Sequence, residues 1–316
     1  MNVGKKEKIN VLSLFDGISC GMIALERAGF EVENYYSSEI NKQAILISEN
    51  NYPNIKRLGT IENWKQWNID WSKIDLLIGG SPCQGFSSSG KGLNFDDARS
   101  KLFFVFSDIL CHIKIQNSNV NFLLENVKMK KEWENVISEY LSTNPIEIDS
   151  KLFSPMRRKR LYWCNWNVEL PIKKNEILTT ILDENVDDSY FIKKEQFEKL
   201  VIHKNERTYI KNLSNKELEV FHGDGVILSR TWQTYMPIIK NQSHCIRSAN
   251  PNDSGVAILK NGEIYFRKFT LPEMEKLQTL PVGYTKCKSL SERQSKMVIG
   301  NGWTVDVIAH IFSFIT

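Results

Sequence analysis

Short apolar runs recur through the first half of the chain and alternate with longer stretches in which apolar positions return at helical spacing. Val11-Leu12-Ser13-Leu14-Phe15 predicts a strand, Cys20 to Ala28 a helix closed by Gly29, and Asn34 to Ser38 a second strand ending at Glu39. A helix is predicted near Lys42 to Glu49, then the strand Ile74-Asp75-Leu76-Leu77-Ile78. A further helix follows from about Ser100 to Ile115, and then the strand Asn121-Phe122-Leu123-Leu124, which runs into Glu125-Asn126. Continuous apolar strands suit burial on both faces, and strands alternating with helices of this length predict βαβ units around a parallel sheet.

From about Asn165 to Phe266 the alternation stops. That stretch is rich in Lys, Glu, Asn, Asp and Gly, with β-like pieces at Val226-Ile227-Leu228 and Val256-Ala257-Ile258-Leu259, the second followed by the turn Asn261-Gly262. Thr270-Leu271-Pro272-Glu273 carries the signature of a capped helix start, and an apolar helix is predicted from Thr304 to Phe314. The expected organisation is an α/β domain over 1–164, a smaller irregular β-containing domain over 165–266, and a segment 267–316 that returns to the first domain.

Composition narrows the function classes. The 316 residues are 41% hydrophobic and 25% charged, ordinary globular values for one large or two smaller domains. None of the six cysteines lies in a C-x-x-C pair and the five histidines show no H-E-x-x-H spacing, so neither a disulfide framework nor a metal site is supported. No apolar run is long enough to span a bilayer, and Asp16 and Gly17 interrupt the one stretch that resembles a signal peptide, so a cytoplasmic protein is expected. The net charge of +4 is a mild basic excess. Lys128-Met129-Lys130-Lys131 and Arg157-Arg158-Lys159-Arg160 border the proposed cleft, which makes phosphate contact the expected role for both clusters.

The candidate chemistry lies where predicted strands end. Gly79-Gly80-Ser81-Pro82-Cys83-Gln84-Gly85-Phe86 sets one cysteine where an apolar strand breaks into a polar loop, the place for a nucleophile in an open α/β sheet. Phe15-Asp16-Gly17-Ile18-Ser19-Cys20-Gly21 joins the first strand to the first helix, with glycines that let a ligand approach the backbone. It is neither G-x-G-x-x-G nor a phosphate loop with G-K-[ST], so NAD and ATP are not indicated. Glu39, about twenty residues on at the end of the second strand, stands where α/β nucleoside-binding domains hold ribose hydroxyls.

These segments together resemble the cytosine-5 DNA methyltransferase family, in the family's order along nearly the whole chain. The matching stretches are F-D-G-x-x-x-G at 15–21, Glu39, G-G-S-P-C-Q-G-F-S at 79–87, D-D-A-R-S-K-L-F-F at 96–104, E-N-V at 125–127 and R-x-K-R at 157–160. They continue with R-K-F-T-x-x-E-x-x-x-L-Q at 267–278 and G-N-G-W-T-V at 300–305. The E-N-V and S-P-C segments and the compact variable region resemble the de novo branch of eukaryotic enzymes.

The resemblance implies a Rossmann-like methyltransferase sheet carrying a target recognition domain at 165–266, with S-adenosylmethionine as methyl donor and double-stranded DNA as substrate. Cytosine C5 is too poor a nucleophile to be methylated directly, so Cys83 would attack C6 as a thiolate and make C5 enamine-like. Glu125 would hold N3 and the exocyclic amine, Arg160 would bind O2, and Arg158 would steady the site. Phe15, Asp16, Gly17 and Gly21 would form the cofactor wall, Glu39 would bind ribose, Ile40 would face adenine and Leu102 would line the pocket. Asn301 and Gly302 would close it. Three positions depart from the family pattern: Thr60 where an Asp is common, Met156 where a Gln opens the arginine motif, and Gly302 in place of a serine.

Because C6 of a stacked cytosine is inaccessible, base flipping is implied. Gln84, Ser87, Lys91 and Arg99 are candidates for DNA contact. Arg230 and Arg247 are candidate DNA-binding groups in the recognition region, with Gln233, Asn241 and Asn250 beside them. A cognate restriction endonuclease is the further partner that the resemblance allows. Two alternatives are a transfer-RNA cytosine-5 methyltransferase, whose C-F-T tripeptide is absent, and an inactive DNA-binding regulatory homologue, against which Cys83, Glu125 and Arg160 argue.

Overall fold

The computed structural model describes residues 8–82, 101–172, 176–198, 200–205, 207–211, 216–228 and 237–316. These divide into two compact units: Met1–Asp149, Lys159–Pro171 and Val305–Thr316 in the first, Ser150–Arg158 and Ile172–Thr304 in the second. Among the described residues no helix is long and apolar enough to cross a membrane.

The apolar runs of the first unit form a seven-stranded sheet. Its strands are β1 (Lys8–Leu14), β2 (Glu31–Ser38), β3 (Lys56–Arg57), β4 (Leu76–Gly80), β5 (Asn121–Val127), β6 (Ile146–Asp149) and β7 (Lys159–Cys164), in the order β3-β2-β1-β4-β5-β7-β6. β1 pairs in parallel with β2 and β4, and β4 with β5, while β7 runs antiparallel to both β5 and β6. Leu12, Leu14, Leu77, Phe122, Leu124 and Trp163 join the α3 residues Phe103, Phe106, Ile109 and Ile113 in one buried cluster, α3 being the helix Leu102–Gln116. Burial of such side chains is worth about 1.5–3 kcal/mol each and is what holds the sheet. Connections leave β1 towards β2 and β4 towards β5, so the strand order reverses between β1 and β4. The carboxyl ends of those two strands are the expected ligand crevice of an open α/β sheet.

Helix α1 (Cys20–Arg27) follows β1, α2 (Lys42–Asn51) follows β2 and α4 (Lys131–Leu141) follows β5. Asn41 caps α2, its side chain accepting from the backbone of Gln43 and Ala44. The last helix, α8 (Val305–Phe312), packs on α1, where Arg27 Nη1 meets Asp306 Oδ1 at 2.6 Å.

The second unit has two small antiparallel sheets. One is β8 (Val201–Lys204), β9 (Arg207–Lys211) and β10 (Glu217–Glu219). The other takes β11 (Gly225–Ile227), β12 (Ile238–Ile239), β13 (Ser254–Lys260) and β14 (Glu263–Lys268) in the order β12-β11-β13-β14. The β13–β14 hairpin turns through Asn261 and Gly262, both with positive φ (53° and 80°), as a two-residue loop of the primed kind requires. Helices α5 (Lys194–Phe197), α6 (Leu271–Leu277) and α7 (Glu292–Asn301) complete it. Thr270 and Glu273 form the capping box of α6.

The units do not divide at 164 and 266. Residues 150–158 and 267–304 group with the irregular region, because β14 is the partner of β13 and Arg267 of β14 is locked to Glu273 of α6 through two hydrogen bonds of 2.7 and 2.6 Å. Only the residues from Val305 onward return to the first unit.

Candidate active site

The turn after β1 is built on left-handed backbone. Phe15, Gly17 and Ser19 have φ of 57°, 58° and 58°. The space beside Gly17 is open, with nothing within 4 Å of where a Cβ would stand, so glycine serves conformation there and leaves room for a ligand. Ser19 occupies the N-cap of α1 without capping it. Its hydroxyl instead donates to Asp16 Oδ2 at 2.6 Å.

Asp16 is expected on the cofactor wall, yet its buried carboxylate is engaged by the protein itself. Ser13 Oγ and Tyr35 OH donate to Oδ1 at 2.6 and 2.7 Å, and Ser19 Oγ and Ser37 Oγ to Oδ2 at 2.6 and 2.9 Å. Glu39 accepts the backbone N–H of Gly17 at 2.7 Å on Oε2, and those of Ile40 and Asn41 at 2.8 and 2.7 Å on Oε1. The end of β2 is thereby tied to the turn after β1. Ile40 beside it is 73% exposed, an apolar side chain left in water at the rim of the crevice. Phe15 and Leu102 are partly buried against the core under the sheet, and Gly21 is buried in the first turn of α1. Open space at Gly17, an acid at the strand end and an exposed apolar side chain next to it fit a nucleoside with a ribose and a flat base. Thr60, by contrast, caps the turn Ile61–Gln66.

Glu125 and Arg160 lie on neighbouring strands, β5 and β7, where Val127 pairs with Arg160 and Glu125 with Tyr162. Arg160 Nε meets Glu125 Oε1 at 2.9 Å with both side chains largely buried. Asn126, fully buried, donates to Ser81 Oγ at 2.9 Å, fastening the end of β5 to the segment that leads from β4 into Pro82. Cys83, Gln84, Ser87, Lys91, Arg99 and Arg230 lie outside the described residues. The Asn126 contact and the hydroxyls around Asp16 are not read from the sequence. Their signal is a polar residue inside an apolar strand, as in Val11-Leu12-Ser13-Leu14, because a buried hydroxyl needs a partner.

Arg158 belongs to the second unit, where it holds backbone carbonyls. Its guanidinium donates to the carbonyl oxygens of Gly300 (3.3 Å from each terminal nitrogen), Gly302 (2.9 Å) and Ile246 (3.4 Å), and to Cys245 Sγ (3.3 Å). It closes the C-terminus of α7, whose carbonyls have no helical partner. Gly302, the C-cap, also accepts from Gln278 Nε2 at 3.1 Å, while Asn301 is exposed. Arg247 pairs with Asp253, which also accepts from Asn250. Met156 is buried in a bridge with Ser243.

The basic clusters expected to grip phosphate are largely engaged within the protein. In the first unit Glu147 holds both Lys128 and Lys159 at 3.0 Å, and Lys131 meets Glu134 at 2.5 Å. The paired lysines lower the Glu147 carboxyl below its ordinary range. In the second unit Arg157 donates to Gln242 at 2.8 Å.

The family model of the C-5 cytosine-specific DNA methylases matches residues 9–316. The chain belongs to this family. Among its relatives, the type II methyltransferase M1.ScrFI of Lactococcus lactis subsp. cremoris is 31% identical over 213 residues, covering 60% of this chain and 52% of that protein. The type II methyltransferase M.HaeII of Haemophilus aegyptius is 34% identical over 208 residues, covering 60% and 63%. The chain therefore spans about half the length of the curated relatives it matches. These bacterial relatives lend no support to an affinity with the eukaryotic de novo branch. Among solved structures, the Entamoeba histolytica methyltransferase EhMeth superposes with a TM-score of 0.71 at 17% identity over 98% of both chains. A Spodoptera frugiperda DNMT2 mutant superposes with 0.63 at 20% identity, over 97% of this chain and all of that one. At such identities the likeness is one of fold.

Proposed function

We propose that this protein is a DNA (cytosine-5-)-methyltransferase that uses S-adenosylmethionine. The observation that carries the reading is the buried Glu125–Arg160 pair at the end of β5, beside the Asn126–Ser81 bond that fastens the strand leading to Cys83. An acid and a guanidinium held together in a largely buried site form a polar edge able to hydrogen-bond a pyrimidine, and Cys83 follows β4 by three residues in the sequence.

In this reading the Cys83 thiolate attacks C6 of a flipped cytosine, forming the S–C6 bond while electron density moves through the ring. Glu125 donates a proton to N3 as charge develops there, and Arg160 donates hydrogen bonds to O2. S-adenosylmethionine supplies the electrophilic methyl group for C5 when bound. Transfer of the C5 proton to water, expulsion of Cys83 as thiolate and return of the N3 proton to Glu125 restore the ring. Gly17, Glu39, Ile40, Phe15 and Leu102 would hold the cofactor, with Asn301 and Gly302 assigned to it by the resemblance alone. The 165–266 region, with Arg247 and Arg230, would choose the sequence. The type II names of the relatives favour a restriction–modification setting with a partner endonuclease.

Bisulfite sequencing of a plasmid carrying the expressed gene tests DNA methylation and reads the target at once. Duplexes with 5-fluorocytosine at that target should trap the wild-type protein covalently, because fluorine cannot leave as the C5 proton does. Cys83→Ser should form no adduct and transfer no methyl group while still binding S-adenosylmethionine. Trapping on fluorocytosine-bearing transfer RNA with none on DNA would instead favour the RNA reading, and turnover by Cys83→Ser near the wild-type rate would remove the nucleophile assignment.

A further inference from the structure

We propose that Asp16 is the positioning residue of the cofactor turn: a buried carboxylate that holds the turn preformed through a cage of four hydroxyls and does not itself touch the ligand. The inference rests on reading residues 15–21 as the S-adenosylmethionine site.

A carboxylate has about four lone-pair positions. Those of Asp16 are matched by Ser13 from β1, Ser19 at the start of α1, and Tyr35 and Ser37 from β2, at 2.6 to 2.9 Å. A ligand atom could bond this carboxylate only by displacing one of them. Three structural elements converge on one side chain, which is what a residue that fixes a turn must achieve.

The backbone shows what is being held. Phe15 and Ser19 are non-glycine residues in the left-handed region, a conformation that persists only where the surroundings over-determine it. Asp16 N–H donates to Ser38 O at 3.2 Å, and Ser19 N–H to Asp16 O at 3.1 Å, so the caged residue is also fixed through its own backbone. Gly17 comes next, and its N–H reaches Glu39.

The charge is balanced at a distance. Among the described residues no Lys or Arg forms an ion pair with Asp16. Ser19 Oγ lies 2.5 Å from Ser48 Oγ, which accepts from Arg57 Nη2 at 2.9 Å. Two hydroxyls thus relay the Arg57 charge to the carboxylate, and the cage remains neutral donors throughout. A direct cation there would compete for the same oxygens and loosen the hydroxyls that position the turn.

The test uses amide hydrogen exchange on the cofactor-free protein together with calorimetry. Asp16→Asn keeps the shape but replaces one acceptor oxygen by a donor, so two hydroxyls lose their acceptor. Exchange at residues 16–21 should then accelerate while β5 stays protected, and S-adenosylmethionine should bind ~10-fold or more weakly, the loss expected from hydrogen bonds to a charged group. Tyr35→Phe, which removes one donor only, should shift both in the same direction by less. In turnover the KM for S-adenosylmethionine should rise while the KM for DNA and kcat stay near wild type, a split that general loss of stability does not produce. Weakened binding with unchanged exchange at 16–21 would make Asp16 a direct ligand and overturn the proposal, as would unchanged binding and exchange together. If the wild-type protein binds no S-adenosylmethionine, the functional reading fails, and the exchange measurement still decides whether Asp16 holds the turn.

Discussion

The turn after β1 in the first unit and the α6–α7 region of the second settle their acids differently. In the first, Asp16 and Glu39 are satisfied by neutral donors, hydroxyls for one and backbone amides for the other, and both lie at the carboxyl edge of a sheet with a large apolar core. In the second, ions brace the structure: Arg267 and Glu273 pair at 2% and 0% side-chain exposure, Arg158 is spent on carbonyls, and Lys296 is buried against the Phe269 carbonyl at 2.8 Å. One buried cluster of the second unit holds Ile210, Val226 and Phe266 with Phe197 of α5, and α6 and α7 bury Met274, Leu277, Val298 and Ile299. Charged and amide side chains add directional ties: Glu275 accepts from Gly283 N–H and Thr285 N–H at 2.6 and 2.7 Å, and Gln278 donates to Ile299 O and Gly302 O. A neutral cage can shape a ligand site without carrying its own counter-ion; the Arg267–Glu273 pair, whose acid is filled by backbone donors as well, binds two elements together.

The largest expected effect is therefore structural. Glu273 also accepts the backbone N–H of Thr270 and of Asp183, so Glu273→Ala leaves Arg267 buried without its partner and frees two amides. The loss should be about 3–5 kcal/mol in urea unfolding, the range for breaking a buried pair from one side. Arg267→Met with Glu273→Leu should recover much of it. A single mutant within about 1 kcal/mol of wild type would end the contrast between the units.

Next comes a pH effect from the same unit. His244 Nε2 is buried with no hydrogen-bond partner among the described residues, and burial pushes the imidazole down to about 4 from 6.5, with Arg157 and Arg247 adding to the depression and a hydrogen bond to Pro237 opposing it. The unfolded chain binds this proton first. Stability from His244 is complete above pH 6.5 and is lost as pH falls towards about 4, amounting to about 2–3 kcal/mol. Carboxylates titrate in the same window, so the useful quantity is the difference between wild type and His244→Gln. That difference should change by this amount between pH 7 and pH 4; a constant difference would place His244 in solvent.

The same contrast explains what the sequence reveals. β1, β4 and β5 are legible because both faces are buried and the apolar runs are unbroken, and Glu39 is legible because a strand end precedes it. The capping box at Thr270 and the turn at Asn261-Gly262 are local chemistry, readable without a fold. β7 is not legible: Lys159-Arg160 open it, and only its pairing with β5 turns a basic cluster into a strand whose Arg160 meets Glu125. α4 is hidden likewise behind Lys128-Met129-Lys130-Lys131. Arg158 and Arg160 differ by two positions and serve different units, which no spacing rule foretells. The Asp16 cage needs donors from β1, α1 and β2 at once and exists only in three dimensions.

The smallest effect concerns ions at the surface of the first unit. Glu147 bridges Lys128 and Lys159 at 3.0 Å each, but the lysine side chains are 54% and 60% exposed and water screens them. Glu147→Gln should cost less than about 1 kcal/mol, and less again in high salt. Because the folded-state carboxyl is lowered, by Lys128 first and Lys159 second, this contribution is present above the ordinary glutamate range and disappears as acid protonates Glu147. In the proposed DNA-methylating reading, DNA affinity supplies the second readout. The substitution releases two lysines, so the salt dependence of DNA affinity should steepen if they face phosphate and stay unchanged if they do not. The pairing seen here favours the unchanged slope. A stability loss comparable with that of Glu273→Ala would mean that exposed and buried pairs carry equal weight, and the division of labour between the two units would fall with it.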